Sequence, residues 1–278
     1  MNLYTIDTGF FKLDGGAMFG VVPKSIWNKL NPADEKNLCT WAMRCLLIEE
    51  GNKLVLIDCG LGNKQNEKFF SYYEPHGEAT LEKSLKQKGF SPGDITDVLL
   101  THLHFDHCGG AIKMDGEKYA PAFKNATYWS EAAHWQWAMY PNDREKASFL
   151  RENILPIEQS GQLRFLKKVD ALFEGFDYML SGGHTEAMVI PHIRYKDKTL
   201  VYMADLIPSS AHVPVPYVMG YDIRPLVTME EKKKFLEYAC KQNYLLFFEH
   251  DPVVECCSLQ MTERGVRVEK TMRLEEIV

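Results

Sequence analysis

Apolar and polar positions alternate along this chain in a way that yields strands, then helices, then strands, a late helix and a closing strand. Residues 41–49 (WAMRCLLIE) and 53–58 (KLVLID) are largely apolar runs on either side of Gly51-Asn52, which predicts a hairpin leaving Asp58 at a strand end. Residues 78–88 predict a helix, with Leu81, Ser84, Leu85 and Lys88 on one stripe and Gly89 as terminator. Val98-Leu99-Leu100 then reads as a short buried strand. Residues 130–154, rich in Trp, Met and Ala, predict two helices broken at Pro141-Asn142-Asp143. Strand-like pieces near 162–166 and 176–180 follow, and 186–195 with 198–205 predict a second hairpin turned at Lys196-Asp197-Lys198. Thr228-Met229-Glu230-Glu231 has the spacing of a capping box, opening a helix with Phe235, Leu236, Ala239 and Cys240 on its apolar face. Strands near 244–249 and 263–270 complete the pattern. Such an order suits two mixed sheets covered by helices better than a regular βαβ series, in a single domain over 1–278. Neither solenoid repeats nor low-complexity linkers interrupt it.

Charge and cysteine usage narrow the function classes. The net charge is −6, and no block of like charges exceeds Lys232 to Lys234, so no basic footprint for nucleic acid or anionic lipid is present. No apolar segment approaches the roughly 18 residues of a membrane span, and MNLYTIDTGFF does not read as an export signal. The seven cysteines (Cys39, Cys45, Cys59, Cys108, Cys240, Cys256 and Cys257) have no disulfide-framework spacing and suit a reducing compartment. A cytoplasmic protein acting on a small molecule is the expectation, with no nucleic acid or membrane partner.

One stretch carries chemistry. Thr101-His102-Leu103-His104-Phe105-Asp106-His107-Cys108-Gly109-Gly110 places three histidines and an aspartate in the spacing HxHxDH, in a chain with only 9 histidines. In an extended segment His102 and His104 point the same way and can share one ion, while Asp106 and His107 lie past a turn and can address a second. Cys108 adjoins the motif but is expected to be a buried hydrophobe, since imidazole and carboxylate already fill the site. Three further candidates emerge from the ends of apolar runs: His184 after Tyr178-Met179-Leu180, Asp205 after Leu200-Val201-Tyr202-Met203-Ala204, and His250 after Leu245-Leu246-Phe247-Phe248-Glu249. Residues from strand ends gather on one rim of a sheet.

With LIDCG (Asp58), THLHFDH, GGHT (His184), MAD (Asp205) and FEHD (His250) in that order, the chain resembles the metallo-β-lactamase superfamily over most of its length. The resemblance implies a four-layer αββα sandwich of two mixed β-sheets flanked by helices. It also implies two divalent metal ions, with zinc the first choice and manganese, iron or cobalt compatible with the same ligands. His102, His104 and His184 would hold the first ion; Asp106, His107 and His250 would hold the second; Asp205 would bridge. Asp58 would orient a ligand histidine from behind. Dimers are common in this branch, so a homodimer is compatible with it.

The reaction implied is hydrolysis. Two divalent cations outweigh two aspartates and a hydroxide, so the centre stays positive and supplies a nucleophile at neutral pH. In that scheme a metal-bridging hydroxide attacks a lactone or carboxylic ester and Asp106 passes a proton to the leaving alkoxide, with Asp205 the other catalytic carboxylate. Only 28 residues follow His250, too few for the helical substrate domain of the glyoxalase thioesterases. The pattern is most similar to the dinuclear lactonases and related organophosphate hydrolases. A phosphotriester or aryl phosphate is the second substrate class, and iron-dependent sulfur dioxygenase chemistry the alternative of another kind. One departure stands out: lactonases of this branch that open acyl-homoserine lactones carry a tyrosine shortly after the bridging aspartate. Here Leu206-Ile207-Pro208-Ser209 follow Asp205, and the next tyrosines are Tyr217 and Tyr221. Met18, Phe19, His212 and Tyr221 are candidates for the substrate pocket, while His134, in its Trp-rich stretch, is expected to be structural.

Overall fold

Period-two burial in the central strands decides the layering. Leu46, Ile48, Val55 and Ile57 face one core, while Cys45, Leu47, Leu54 and Leu56 face another. A strand buried on both faces needs a layer on each side. In the computed structural model, which describes residues 1–167 and 172–277, the first core continues into Val189, Val201 and Leu246 of a second sheet. The other continues into Leu85, Trp135, Ile154 and Ile157 of covering helices. Phe235, Leu236 and Ala239 pack the helix Pro225–Lys241 against the second sheet, completing an αββα sandwich.

The strands are β1 (Asn2–Asp14), β2 (Leu38–Glu50), β3 (Lys53–Ile57), β4 (Asp97–Leu99), β5 (Ile112–Asp115), β6 (Lys118–Pro121), β7 (Thr127–Ser130), β8 (Leu163–Phe165), β9 (Phe176–Ser181), β10 (Met188–Tyr195), β11 (Lys198–Tyr202), β12 (Leu245–Phe247), β13 (Cys256–Thr262) and β14 (Gly265–Met272). One sheet runs β1-β2-β3-β4-β7-β8, the other β14-β13-β12-β11-β10-β9, and β5-β6 is a separate ribbon. Pairing is parallel at β3/β4, β4/β7, β7/β8 and β11/β12 and antiparallel elsewhere, so both large sheets are mixed.

Both predicted hairpins form, with Glu50↔Lys53 and Tyr195↔Lys198 as their closing pairs. β1, β7 and β13 escape the periodicity. β1 is an edge strand with half-buried polar positions and a register shift between Asp7 and Phe10, which blurs its alternation. The helices expected over 130–154 are Ala132–Met139 and Arg151–Gln159, so their break is much longer than three residues. Asn142 Oδ1 accepts from the backbone N–H of Arg144 and Glu145, folding the intervening segment into its own turn.

The capping box at Thr228 is corrected. The late helix starts at Pro225, whose missing N–H costs nothing at a first helical position, and Thr228 is buried inside it. Glu231 turns away from the helix start, accepting from Ser181 Oγ at 2.7 Å and from the N–H groups of Gly182 and Gly183 at 2.8 and 3.2 Å. The next residue, Lys232, is buried, and its Nζ donates to the carbonyls of His212, Pro214 and Tyr217 at 2.7, 3.2 and 2.7 Å. Lys232→Met should therefore cost about 2–4 kcal/mol, measured by urea melts, because three carbonyls lose their donor. Burial pushes the Lys232 ammonium down to about 7. Folded Lys232 then gives up its proton at lower pH than the unfolded chain, so wild-type stability relative to Lys232→Met should rise from pH 7 towards pH 10. A gap that narrows over that window would contradict the burial argument.

Candidate metal centre

Five strand ends meet on one rim. Asp58 leaves β3, the HxHxDH segment leaves β4, His184 follows β9, Asp205 follows β11 and His250 follows β12. The motif turns into the short helix Phe105–Cys108 and is clamped to the exit of β3, with Cys59 N donating to His107 O at 2.7 Å and Gly110 N to Gly60 O at 2.8 Å. Backbone lies so close here that a Cβ on Gly109 would stand 2.0 Å from Leu61 O, and one on Gly110 2.1 Å from Cys59 O. Asp58 and Ala204 are left-handed, at φ 58° and 42°, a strained turn that β3 and β11 accept as they deliver Asp58 and Asp205. β2 holds the far side: Ala42 N donates to His250 O, Arg44 N to Glu249 O, and the buried Arg44 guanidinium to Phe248 O and Asp251 O.

The candidate ligands form two groups, His102, His104, His184 and Asp205 in one, Asp106, His107 and His250 in the other. His104 Nδ1 lies 3.2 Å from His184 Nε2, and His107 Nε2 lies 3.1 Å from His250 Nε2. Asp205 reaches both groups, with Oδ2 3.1 Å from His184 Nε2 and 3.7 Å from His102 Nε2, and Oδ1 3.1 Å from His250 Nε2. Asp106 Oδ2 lies 3.7 Å from His250 Nε2 and 3.8 Å from His107 Nε2. Donors around a tetrahedral ion at zinc distances stand roughly 3.3 Å apart, so the spacing fits a shared cation in each group. Two of these atoms, His102 Nε2 and Asp205 Oδ1, are buried without a hydrogen-bond partner. Buried polar atoms are rarely left so, and a metal would satisfy both.

The opposite ring nitrogens settle the tautomers. His102 Nδ1 donates to Thr101 Oγ1 at 3.1 Å, which in turn donates to Asp58 Oδ2 at 2.6 Å. His107 Nδ1 donates to Asp58 Oδ2 at 3.1 Å, with Glu249 Oε2 2.9 Å away; His184 Nδ1 donates to Asp222 Oδ1 at 2.9 Å; His250 Nδ1 donates to Ala42 O at 2.8 Å. His104 is turned the other way, its Nε2 facing Glu145 Oε1 at 3.7 Å. His102, His107, His184 and His250 thus present their lone pairs inward, which is how metal-bound histidines are oriented. Asp58 serves two of them at once.

Electrostatics agree. Burial lowers His102 and His104, the neighbouring imidazoles lowering them further. Burial also acts to lower His107, His184 and His250, but the carboxylates outweigh it, led by Glu249 for His107 and by Asp205 for the others. The result holds His107 well above its ordinary value, His184 up to about 10 and His250 up to about 9. Burial would raise Asp205, yet the charges of His250, His107 and His184 hold it well below the usual carboxylate range. A centre that draws protons this strongly is a site for cations. Burial pushes Glu249 up to about 8.

Above the ligands opens a cavity of about 310 Å³. Leu13, Met18, Phe105 and Met219 make its apolar wall, and Tyr73, Tyr221, Arg144 and Glu145 add polar groups. Glu145 is clamped by Thr185 Oγ1, Trp137 Nε1 and Asn142 Nδ2 at 2.6, 2.8 and 2.6 Å. Burial raises it, but His104, Thr185 and Trp137 hold it down to about 2. Burial, with Asp106 nearby, pushes the Tyr73 hydroxyl up to about 12.

Of the four pocket candidates, Met18 and Tyr221 line this cavity and the other two do not. Phe19 stacks between Trp27 and His212, with centroids 5.4 and 4.6 Å away, and His212 bonds Met18 O and Ser209 Oγ. Both brace the wall from behind, which corrects their expected place. His134 accepts from Leu103 N at 2.8 Å through Nε2 and donates to Glu186 O through Nδ1, bracing the motif. Sequence reasoning missed Asp222, Glu249, Glu145, Arg144 and Tyr73. Glu249 had a signal, since it directly precedes His250; the others reach the site only through tertiary packing, Tyr73 from a helix end and the rest from the segments that hold Arg144, Glu145 and Asp222.

Fold and donor set together define a metal-dependent hydrolase. The chain belongs to the metallo-beta-lactamase superfamily, whose family model matches residues 44–250. It is 25% identical over 263 residues to an N-acyl homoserine lactonase of Bacillus cereus, covering 90% of this chain and 93% of that protein. Among solved structures, a probable metal-dependent hydrolase from Staphylococcus aureus superposes with a TM-score of 0.89 at 29% identity, covering 100% of this chain and 98% of the other. AidC, a dizinc quorum-quenching lactonase, superposes at 0.78 with 25% identity over 98% and 95% of the two chains. The hydrolase AbOPH shares the fold, at TM-score 0.79 and 21% identity over 98% and 94%. The two His/Asp groups suit two divalent metal ions. Among the described residues, no helix is long and apolar enough to cross a membrane.

Proposed function

We propose that the protein hydrolyses a lactone or carboxylic ester, with His102, His104 and His184 holding one ion, Asp106, His107 and His250 the other, and Asp205 between them; zinc is the first choice for both. One observation carries this reading: two donor groups joined by Asp205 form the floor of a cavity with an apolar wall, which suits an acyl chain set over a hydrolytic centre. When bound, the ions supply a water acidic enough to attack at neutral pH and a positive charge for the substrate's oxygen. The rest falls to the chain. Asp58, Asp222 and the Ala42 carbonyl fix the imidazoles, Leu13, Met18 and Met219 exclude water from the acyl group, and Asp106 carries a proton to the leaving oxygen. The 25% identity to N-acyl homoserine lactonases supports a lactone as the substrate.

Phosphotriesters are the second reading, supported by fold alone. A panel of lactones, aryl esters and phosphotriesters decides between them: kcat/KM should be highest on lactones or esters, and a clear advantage for phosphotriesters would reverse the order. Metal analysis with oxygen uptake tests the redox alternative, which needs about one iron per chain and thiol-dependent oxygen consumption.

A further inference from the structure

The cavity holds two phenols that the scheme above leaves without a task. Tyr73 ends the helix Glu67–Tyr73, and Tyr221 lies in the loop between Gly220 and Asp222; both line the cavity together with Asp106 and Asp205. Three other tyrosines have their hydroxyls taken up by the fold: Tyr4 donates to Glu49, Tyr128 to Ala111 O and Tyr202 to Arg44 O. Among the described residues, neither cavity phenol has a hydrogen-bond acceptor of this kind, so both hydroxyls are free for a ligand.

Their settings differ. The Tyr73 ring packs on Phe105 with centroids 4.6 Å apart and on Phe69 at 5.0 Å, while Phe69 meets Phe105 edge-on at 5.3 Å. Phe105 directly precedes Asp106, so this packing registers the Tyr73 phenol against the same backbone turn that carries Asp106. The helix end is pinned as well, because the adjacent Glu74 pairs with Lys12 of β1 at 2.9 Å and His76 exchanges backbone hydrogen bonds with Phe10. Tyr221, by contrast, is 40% exposed on a surface loop. A donor that stabilises a transition state must be held in place before the reaction, and Tyr73 is the one so held.

We propose that Tyr73 is a catalytic residue, its Oη–H donating to the substrate's carbonyl oxygen as that oxygen gains charge, while Tyr221 covers the acyl chain at the mouth. The assignment rests on the hydrolytic reading. As a water oxygen, its proton passed to the Asp106 carboxylate, bonds to the carbonyl carbon, the C=O π pair moves onto the carbonyl oxygen, and Tyr73 holds that oxygen without surrendering its own proton. When the pair returns, the C–O bond to the alkoxide breaks, and the alkoxide takes that same proton from Asp106, which is left a carboxylate again.

The test uses the full, metal-loaded chain with Tyr73→Phe and Tyr221→Phe. Phe keeps the ring on Phe105, so metal content and melting temperature should match wild type. On the best lactone or ester, Tyr73→Phe should lower kcat about 100-fold with KM within about threefold. Affinity for a tetrahedral mimic, an alkyl phosphonate monoester, should fall in parallel, which a merely structural role would not produce. Tyr221→Phe should act chiefly on KM. If wild type turns over the substrate and Tyr73→Phe keeps kcat within threefold, Tyr73 is not the donor. A 100-fold kcat loss in Tyr221→Phe instead also overturns the assignment. Wild type that hydrolyses no lactone or ester refutes the hydrolytic reading and this assignment with it.

Discussion

Asp205→Asn should lower the metal content from two ions per chain to one or none and cut kcat/KM by roughly 1,000-fold or more, about 4 kcal/mol of transition-state stabilisation. Asp205 is the carboxylate that reaches both donor groups, through Oδ2 to His184 and His102 and through Oδ1 to His250. Asparagine keeps its size and one oxygen but removes the charge, and only one of its two polar atoms can accept a metal. The loss should therefore exceed that from replacing a histidine of either group, which leaves the other group intact. A second consequence concerns the metal-free protein. There the Asp205 carboxylate balances charge on His107, His184 and His250, so its removal leaves those buried imidazoles with less compensation. Mass spectrometry of metal content, with melts taken with and without chelator, separates the two effects. Two ions per chain retained in Asp205→Asn would mean that Asp205 does not join the groups.

Why was this centre legible in the sequence when much of its surroundings was not? HxHxDH, Asp58, His184, Asp205 and His250 all sit at strand ends, and strands announce themselves through apolar runs such as Leu54-Val55-Leu56-Ile57 and Leu245-Leu246-Phe247. A polar residue that terminates such a run has its position fixed by the sheet. Asp222 and Tyr73 are different: one comes from a loop, the other from the end of a seven-residue helix with no buried stripe, and only tertiary packing carries them to the cavity. The same distinction explains Thr228-Met229-Glu230-Glu231. Locally it satisfies the capping pattern, but Pro225 starts the helix earlier, and Glu231 serves Ser181, Gly182 and Gly183 across 48 to 50 residues of chain. Phe19 and His212 were misplaced for a related reason. Both lie near the cavity along the chain, but mutual stacking at 4.6 Å draws them into the wall.

Asp106→Asn should separate metal binding from turnover. Its Oδ2 lies 3.7 Å from His250 Nε2 and 3.8 Å from His107 Nε2, farther than the 3.1 Å between those two nitrogens, so the imidazoles define the second group more tightly than the aspartate does. An asparagine oxygen can still complete that group, and metal content measured after loading should fall modestly. The carboxamide cannot carry a proton, however. If Asp106 protonates the leaving oxygen, kcat should drop by about 100- to 10,000-fold, the usual worth of a positioned acid. The size of the drop should depend on the substrate. An aliphatic lactone releases a basic alkoxide that cannot leave unprotonated, whereas an aryl ester with an acidic phenol departs with little help. Asp106→Asn should thus lose far more on the lactone than on the activated ester, and the slope of log kcat against leaving-group pKa should steepen. Equal losses on both would assign Asp106 to holding metal alone, and full activity in a metal-replete variant would remove it from the chemistry altogether.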